Sequence, residues 1–387
     1  MVRIAMVAGE ASSDQLAAHL MVALKVHVPD AEFYGIGGPK MQREGFVSPW
    51  PAEKLAVRGY MEALCNYREI ARIRRELLKT LLRDRPAIFI GVDGYDFNVW
   101  LEKKLKRAGI PTVHFVSPSI WAWRRGRLKK IVRSMSHILA LYPFEPALYA
   151  DTHVKCTFVG HPMADVIPLQ SNREAMRERL KIPRNQQVIA LLPGSRQAEL
   201  HHLAEAFIAT AQLLHKKNPQ AVFLVPLTTA ETRRQFELAL WKLKANELPL
   251  TMMFGHAVDA LTACDVALVA SGTATLEAAL IGRPMVIAYK ISSWSWRIMR
   301  RMGYLPWIGL PNILAGRFVV PEFLQEDATP ENLAQALGNL LLDEQMQAAM
   351  QRVFASIHLA LRQNTAQKAA AAVLPYLQQT IPAQSAR

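Results

Sequence analysis

The chain has only three cysteines in 387 residues, Cys65, Cys156 and Cys264. They are far apart and outside any C-x-x-C spacing, so neither a disulfide framework nor a structural zinc site is supported, which suits a reducing cytoplasm. No apolar stretch approaches the roughly 18 residues of a membrane span, and the run from Ile4 to Ala8 ends at Gly9-Glu10, too short for a secretory signal. Membrane contact, if there is any, is therefore expected to be peripheral. Acidic residues are scarce beside basic ones, 32 Asp and Glu against 46 Lys and Arg, a formal net charge of +14. That balance points to an acidic partner, whether nucleic acid, an anionic membrane surface or a phosphorylated substrate. No D-x-D and no H-E-x-x-H occurs, and the adjacent His201-His202 point to different faces of their helix, so no metal ligand set is expected. Also missing are repeats at a solenoid period and any low complexity beyond Ala369 to Ala372.

What the chain does have is 51% hydrophobic residues, enough for two globular domains with real cores. Short apolar strands alternate with amphipathic helices. RIAMVA (3–8), AIFIGVD (87–93), TVHFVS (112–117), HILALY (137–142) and CTFVG (156–160) read as buried strands. After Asp165 a polar, Pro-punctuated segment reads as a linker with one short helix, and the alternation restarts. VIALLPGS (188–195), AVFLVPLT (221–228), LTMMFG (250–255), DVALVAS (265–271) and PMVIAY (284–289) form the second set. The pattern predicts an α/β protein with two Rossmann-like, doubly wound parallel-sheet domains, residues 1–165 and 166–345. Helices over 346–387 are expected to pack back on an N-terminal domain.

In such folds ligands sit at the carboxyl ends of strands, so the chemistry is expected in strand-to-helix turns. In GEASSD (9–14), Ser12, Ser13 or Asp14 can cap the next helix, with or without a ligand nearby. In GVDGYDFN (91–98), Asp96 or Asn98 can cap, which leaves Asp93 at the strand end unexplained. SPSIWAWRRGRLKK (117–130) sets two tryptophans beside a basic run, and GHPMAD (160–165) stands at the domain junction. In LLPGSRQAEL the backbone amides around Gly194 and Ser195 can face an anion, and Arg196 adds a permanently charged fork suited to phosphate. In ASGTATLEAAL, Ser271, Gly272 and Thr273 again offer amides at a helix N-terminus. Glu277, one turn later, would repel phosphate but could accept both hydroxyls of a ribose diol. Two phosphates and a ribose describe a nucleoside diphosphate.

The ordered set GExSxD, GxDxxDFN, HFVSPSIWAWRRGR, PFE, FVGHPMAD, LLPGSR, ASGTATLE and LPNILAGR resembles the lipid-A-disaccharide synthase family, inverting glycosyltransferases of the GT-B fold, whose two domains face a cleft. The resemblance spans almost the whole chain. It implies transfer of 2,3-diacylglucosamine from its UDP derivative to 2,3-diacylglucosamine 1-phosphate, giving a β-1,6 disaccharide and UDP, without cofactor, at the cytoplasmic face of an anionic inner membrane. It places the general base on Asp93, with Asp96 the second choice. Glu10 would orient the acceptor, and Asn312 would stand near the nucleotide, although a loop amide bonding backbone reads the same. Helix N-termini and Arg196 can stabilise departing UDP without a metal. Two positions depart from the family pattern: Ser13 where Gly is usual, and Gly94-Tyr95 where Ala-Pro is usual.

Two rivals have discriminating observations. A UDP-sugar 2-epimerase of the same fold would turn over the donor without an acceptor. A nucleic-acid-binding protein would explain the charge, but no nucleic-acid motif appears and its binding would be catalytically silent. Two basic-aromatic segments are candidates for membrane contact. Residues 60–78 place Tyr67 and Ile70 on one helical face beside arginines, and residues 294–308 combine Trp294 and Trp296 with Arg297. Ordinary core faces with solvated charges would give the same stripes. A homo-oligomer is compatible with the sequence but not indicated by it.

Overall fold

A computed structural model describes residues 2–52, 55, 60–122, 125–303 and 305–378, with backbone only for residues 60–67, 125, 298 and 302. The chain divides into two units, one of the described residues up to Asp165 with those from Leu361 onward, the other Val166–Ala360. In the first unit, β1 (Arg3–Ala8) leads through α1 (Ala11–His27) to β2 (Glu32–Ile36), then through α2 (Pro39–Arg43) and α3 (Tyr60–Asp84) to β3 (Ile88–Val92). There follow α4 (Tyr95–Arg107), β4 (Thr112–Phe115), α5 (Leu128–Ser134), β5 (His137–Ala140), β6 (Lys155–Phe158) and, at the junction, α6 (Pro162–Val166). The sheet runs β2-β1-β3-β4-β5-β6, every pair parallel.

Burial on both faces explains why β1, β3, β4 and β5 read as apolar runs, whereas β6, expected to be buried, lies at the sheet edge with Lys155 exposed and the rest half-buried. Ile4, Met6, Ile88 and Ile90 face α1, whereas Ala5, Val7 and Phe89 join the cluster of Ile73, Leu77, Leu101 and Leu105 from α3 and α4. The reading from sequence missed β2: Glu32-Phe-Tyr-Gly-Ile opens on a charge and is interrupted by Gly35, so it presents no continuous run. Elsewhere the apolar runs overshoot the strand ends, as at Asp93 after Val92, and each overshoot is the turn that leaves the sheet.

The second unit begins with α7 (Arg173–Arg179), which is docked rather than free. Arg177 is buried, and its guanidinium donates to the Ala263 carbonyl and to Asp265. Then come β7 (Val188–Leu192), α8 (Gln197–Lys217), β8 (Val222–Leu227), α9 (Ala230–Lys242), β9 (Leu250–Phe254), α10 (Ala257–Ala263), β10 (Val266–Ala270) and α11 (Thr273–Leu280). β11 (Met285–Tyr289), α12 (Ser293–Met302), α13 (Leu310–Ala315), β12 (Glu322–Leu324) and α14 (Pro330–Leu342) complete the alternation. The parallel sheet runs β12-β11-β10-β7-β8-β9. β12, three residues long, was too short to read from sequence.

Of the two last helices, α15 (Glu344–Leu361) runs in the second unit, where His358 bonds the Leu280 carbonyl through Nδ1. α16 (Thr365–Gln378) returns to the first and buries Ala369, Ala370, Val373 and Leu377 in the α1 core. Asp165, the last residue of GHPMAD, accepts from the amides of Gln363, Asn364 and Thr365 and so caps α16.

Candidate active site

Each sheet has one place where the strand order reverses, and there the connections from two neighbouring strands leave to opposite faces and form a crevice. In the first unit it lies between β1 and β3, aligned so that Ala8 neighbours Val92. The topology thus brings the Glu10 turn beside the Asp93 turn, 83 positions apart in the chain. Ser13 is buried and closes the first turn: its Oγ accepts from the Glu10 amide at 2.9 Å and donates to the Glu10 carbonyl at 2.8 Å. Ser13 therefore ties this loop, while the Glu10 side chain stays exposed. Asp14 does not cap its own helix. It accepts from Lys40 and Met41 amides at 2.9 and 3.1 Å and holds the start of α2.

Asp93 has φ 54° and Gly94 φ 50°, two consecutive left-handed residues. The second suits glycine, whereas the first is a strained conformation of the kind that gathers at functional sites. The Asp93 amide donates to the Phe115 carbonyl at 2.8 Å and its carbonyl accepts from Asn98 Nδ2 at 2.8 Å. The half-buried Asp93 carboxylate has no hydrogen-bond or ion-pair partner among the described residues. Asp96 differs: its side chain is 81% exposed and lies 3.4 Å from Arg127.

Sequence reasoning gave Glu145 of the PFE motif no role. It is buried, accepts from the Leu141 and Tyr142 amides and from Trp121 Nε1 at 3.1 Å, and so anchors the tryptophan-rich loop. Burial pushes its carboxyl up to about 7, against the pull of those donors. His161, stacked on Tyr142, is driven down to about 4 by burial. Trp123 and Arg124 lie outside the described residues.

In the second unit the reversal lies between β7 and β10, whose pairing sets Leu192 beside Val269 and joins the Gly194 and Gly272 turns. The two turns are not equivalent. At the first, the amides of Ser195 and Arg196 already donate to Glu199 Oε2 at 2.8 and 3.2 Å, so the anion they face is the chain's own. What that turn offers outward is the Arg196 guanidinium, 80% exposed. At the second, Gly272 has φ 155°, a region open essentially to glycine, and α11 begins with no side-chain cap. Glu277 is half-buried, burial raises its pKa, and its carboxylate has no partner among the described residues.

Asn312 is fully buried and spends its whole amide internally. Nδ2 donates to the Val320 carbonyl and Glu322, and Oδ1 accepts from the Val319 and Val320 amides. Its side-chain amide is thereby fully used within its own loop, the other of the two readings open for it. With Glu322, which accepts from the Ile308 and Gly309 amides, it shapes a loop whose Ile308 carbonyl takes the Ser271 hydroxyl. Among the described residues, no three His, Cys, Asp or Glu side chains are grouped to hold a metal, and no helix is long and apolar enough to cross a membrane.

Of the surface segments, α12 carries Trp294 at 72% exposure, with Trp296 half-buried and Arg297, Arg300 and Arg301 exposed. The Tyr67 side chain and Tyr304 lie outside the described residues. Ile70 is half-buried at the head of a stripe that continues as Ile73, Leu77 and Leu81, all core.

Two tandem Rossmann-like sheets, each with a polar turn pair at its reversal, make up the GT-B fold. Solved structures share the fold: a putative UDP-N-acetylglucosamine 2-epimerase from Listeria monocytogenes superposes with TM-score 0.64 at 11% identity over 98% of both chains. Anabaena Alr3699/HepE, solved with UDP and glucose, gives 0.58 at 13% identity over 97% of this chain and all of its own. The family model described as lipid-A-disaccharide synthetase matches residues 4–374. The lipid-A-disaccharide synthase of Dechloromonas aromatica is 61% identical over 377 residues, 97% of this chain and 99% of the relative. That of an Azoarcus species is 60% identical over 375 residues, 97% and 96%. The chain belongs to the lipid-A-disaccharide synthase family and is a glycosyltransferase. Epimerase likeness extends to the fold alone, and that rival is set aside.

Proposed function

We propose that the chain joins two acylated glucosamines. The 6-hydroxyl of 2,3-diacylglucosamine 1-phosphate attacks the anomeric carbon of UDP-2,3-diacylglucosamine on the face opposite UDP. The new C–O bond forms as the bond to the UDP oxygen breaks, and the hydroxyl proton passes to Asp93. The products are the β-1,6-linked disaccharide 1-phosphate and UDP.

The observation that carries this reading is Glu277, a half-buried carboxylate without a partner one turn inside an uncapped helix N-terminus. Burial of an ionisable group without a partner is unfavourable unless a ligand supplies the donors, and a ribose diol supplies two. The amides at Gly272 and Thr273 with the Arg196 guanidinium then take the diphosphate. Asp93 is preferred to Asp96 as base because its carboxylate is half-buried and free, whereas Asp96 is solvated and near a guanidinium. A positioned base contributes roughly 10²–10⁴-fold. Glu10 orients the acceptor from the neighbouring turn. Acylated substrates require access to a lipid surface, for which Trp294 and the arginines of α12 supply an amphipathic, cationic face. The decisive assay supplies both acylated sugars and scores UDP and disaccharide. UDP release without disaccharide, or turnover of the donor alone, would refute the assignment.

A further inference from the structure

Beneath the Asp93 turn lies a polar cluster that the proposed chemistry does not use. Parallel register sets Gly91 of β3 beside His114 of β4. A Cβ at Gly91 would stand 2.5 Å from Glu102 Oε1 and 3.0 Å from Asn98 Cβ, so the bare backbone makes room for both side chains of α4. Glu102 reaches over it to His114, Oε1 to Nδ1 at 2.6 Å, with the two side chains 0% and 1% exposed. Burial pushes the Glu102 carboxyl above the usual carboxylate range, opposed by the imidazole. Glu102 Oε2, Asn98 Oδ1 and Tyr95 Oη are buried without a hydrogen-bond partner, and the Tyr95 ring meets His114 edge-on at 6.4 Å. A core shaped for stability alone would fill this space with aliphatic side chains, because a buried ionisable pair with unanswered atoms is weaker than good apolar packing.

We infer that Glu102 and His114 are positioning residues for Asp93, an inference that rests on Asp93 being the base. Asn98 links the pair to the turn: it packs with Glu102 at Gly91 and donates to the Asp93 carbonyl. From the other side, the residue after His114, Phe115, accepts the Asp93 amide. The Glu102–His114 bond fixes α4 against β4, and the two clamps then hold the left-handed Asp93-Gly94 backbone that aims the carboxylate. A misplacement of about 1 Å can lower turnover by roughly 10²-fold.

The test is a cycle of variants assayed with both acylated sugars. Glu102→Leu/His114→Phe replaces both partners with apolar groups of similar shape, an exchange that can leave stability nearly unchanged. We expect kcat to fall at least about tenfold while KM for the UDP donor and calorimetric UDP affinity stay within about twofold, because donor contacts lie in the other unit. In an Asp93→Asn background the same replacement should lower kcat no further. If the double replacement does not fold, isosteric Glu102→Gln carries the same cycle. Wild-type kcat in the folded variant, or an equal loss with and without Asp93, overturns the inference while leaving the base assignment intact. Near-normal turnover of Asp93→Asn alone overturns both.

Discussion

Glu277→Gln should weaken UDP and stabilise the protein at once, opposite signs that a merely structural glutamate would not produce. The substitution keeps the shape of the side chain and its place in α11 but removes the charge. If both ribose hydroxyls donate to the carboxylate, losing the charge-assisted part of two hydrogen bonds amounts to about 1.5–3 kcal/mol, or roughly 10- to 150-fold in Kd. The folded protein holds this carboxyl at a raised pKa through burial. An acid shifted upward binds its proton more tightly when folded, so wild-type stability declines as pH rises from the ordinary carboxylate value through the raised one. Glutamine removes that decline, and the melting temperature at neutral pH should hold or rise. Calorimetry with UDP and with 2′-deoxy-UDP isolates the contact, because wild type should discriminate between them and the variant should do so far less. Equal UDP affinity in both proteins, or undiminished discrimination in the variant, would refute the ribose assignment, and a lowered melting temperature would make Glu277 a structural residue.

Asp93→Asn should keep the fold and UDP affinity while turnover falls by roughly 10²-fold or more, read from steady-state kinetics beside calorimetry. Excess EDTA should leave the rate unchanged; inhibition reversed by added metal would count against stabilisation of UDP by helix amides and Arg196. Glu145 is held near 7 by burial, so it should make stability fall between its unfolded value, about 4.5, and about 7, a slope that Glu145→Gln removes. The difference between the two stability curves is the readout, since His137 and His161, held near 4, give a slope of opposite sign. Sedimentation with anionic vesicles should retain wild type at low salt and lose Trp294→Ser/Trp296→Ser, each arginine contributing about 1 kcal/mol; indifference to lipid charge, or unfolding of the variant, would end the membrane reading.

Residue order alone made legible what local pattern can carry. Ten of the strands, from Arg3–Ala8 to Met285–Tyr289, were legible as apolar runs, eight of them because burial on both faces demands such runs, whereas the edge strands β6 and β9 keep the run with no residue fully buried. The turns after them were legible because a chain leaving a sheet needs glycine and capping residues there. Strands β2 and β12 were not, the one beginning with a charge and broken by glycine, the other three residues long. Which polar side chain answers which backbone group was decided only by tertiary structure. Asp165 caps a helix 200 positions away, and Asp14 holds a helix other than its own. Glu199 fills amides that looked open to phosphate, whereas the similar turn at Gly272 stays uncapped. Asn312 is consumed by its own loop, and Glu102 meets His114 only because the register of two strands sets a glycine between them. Periodicity and propensity act over a few neighbouring residues. Hydrogen-bond partners and strand order join residues far apart in the chain, so the placing of the Glu10 turn beside the Asp93 turn, and of the Gly194 turn beside the Gly272 turn, belongs to the folded sheets alone.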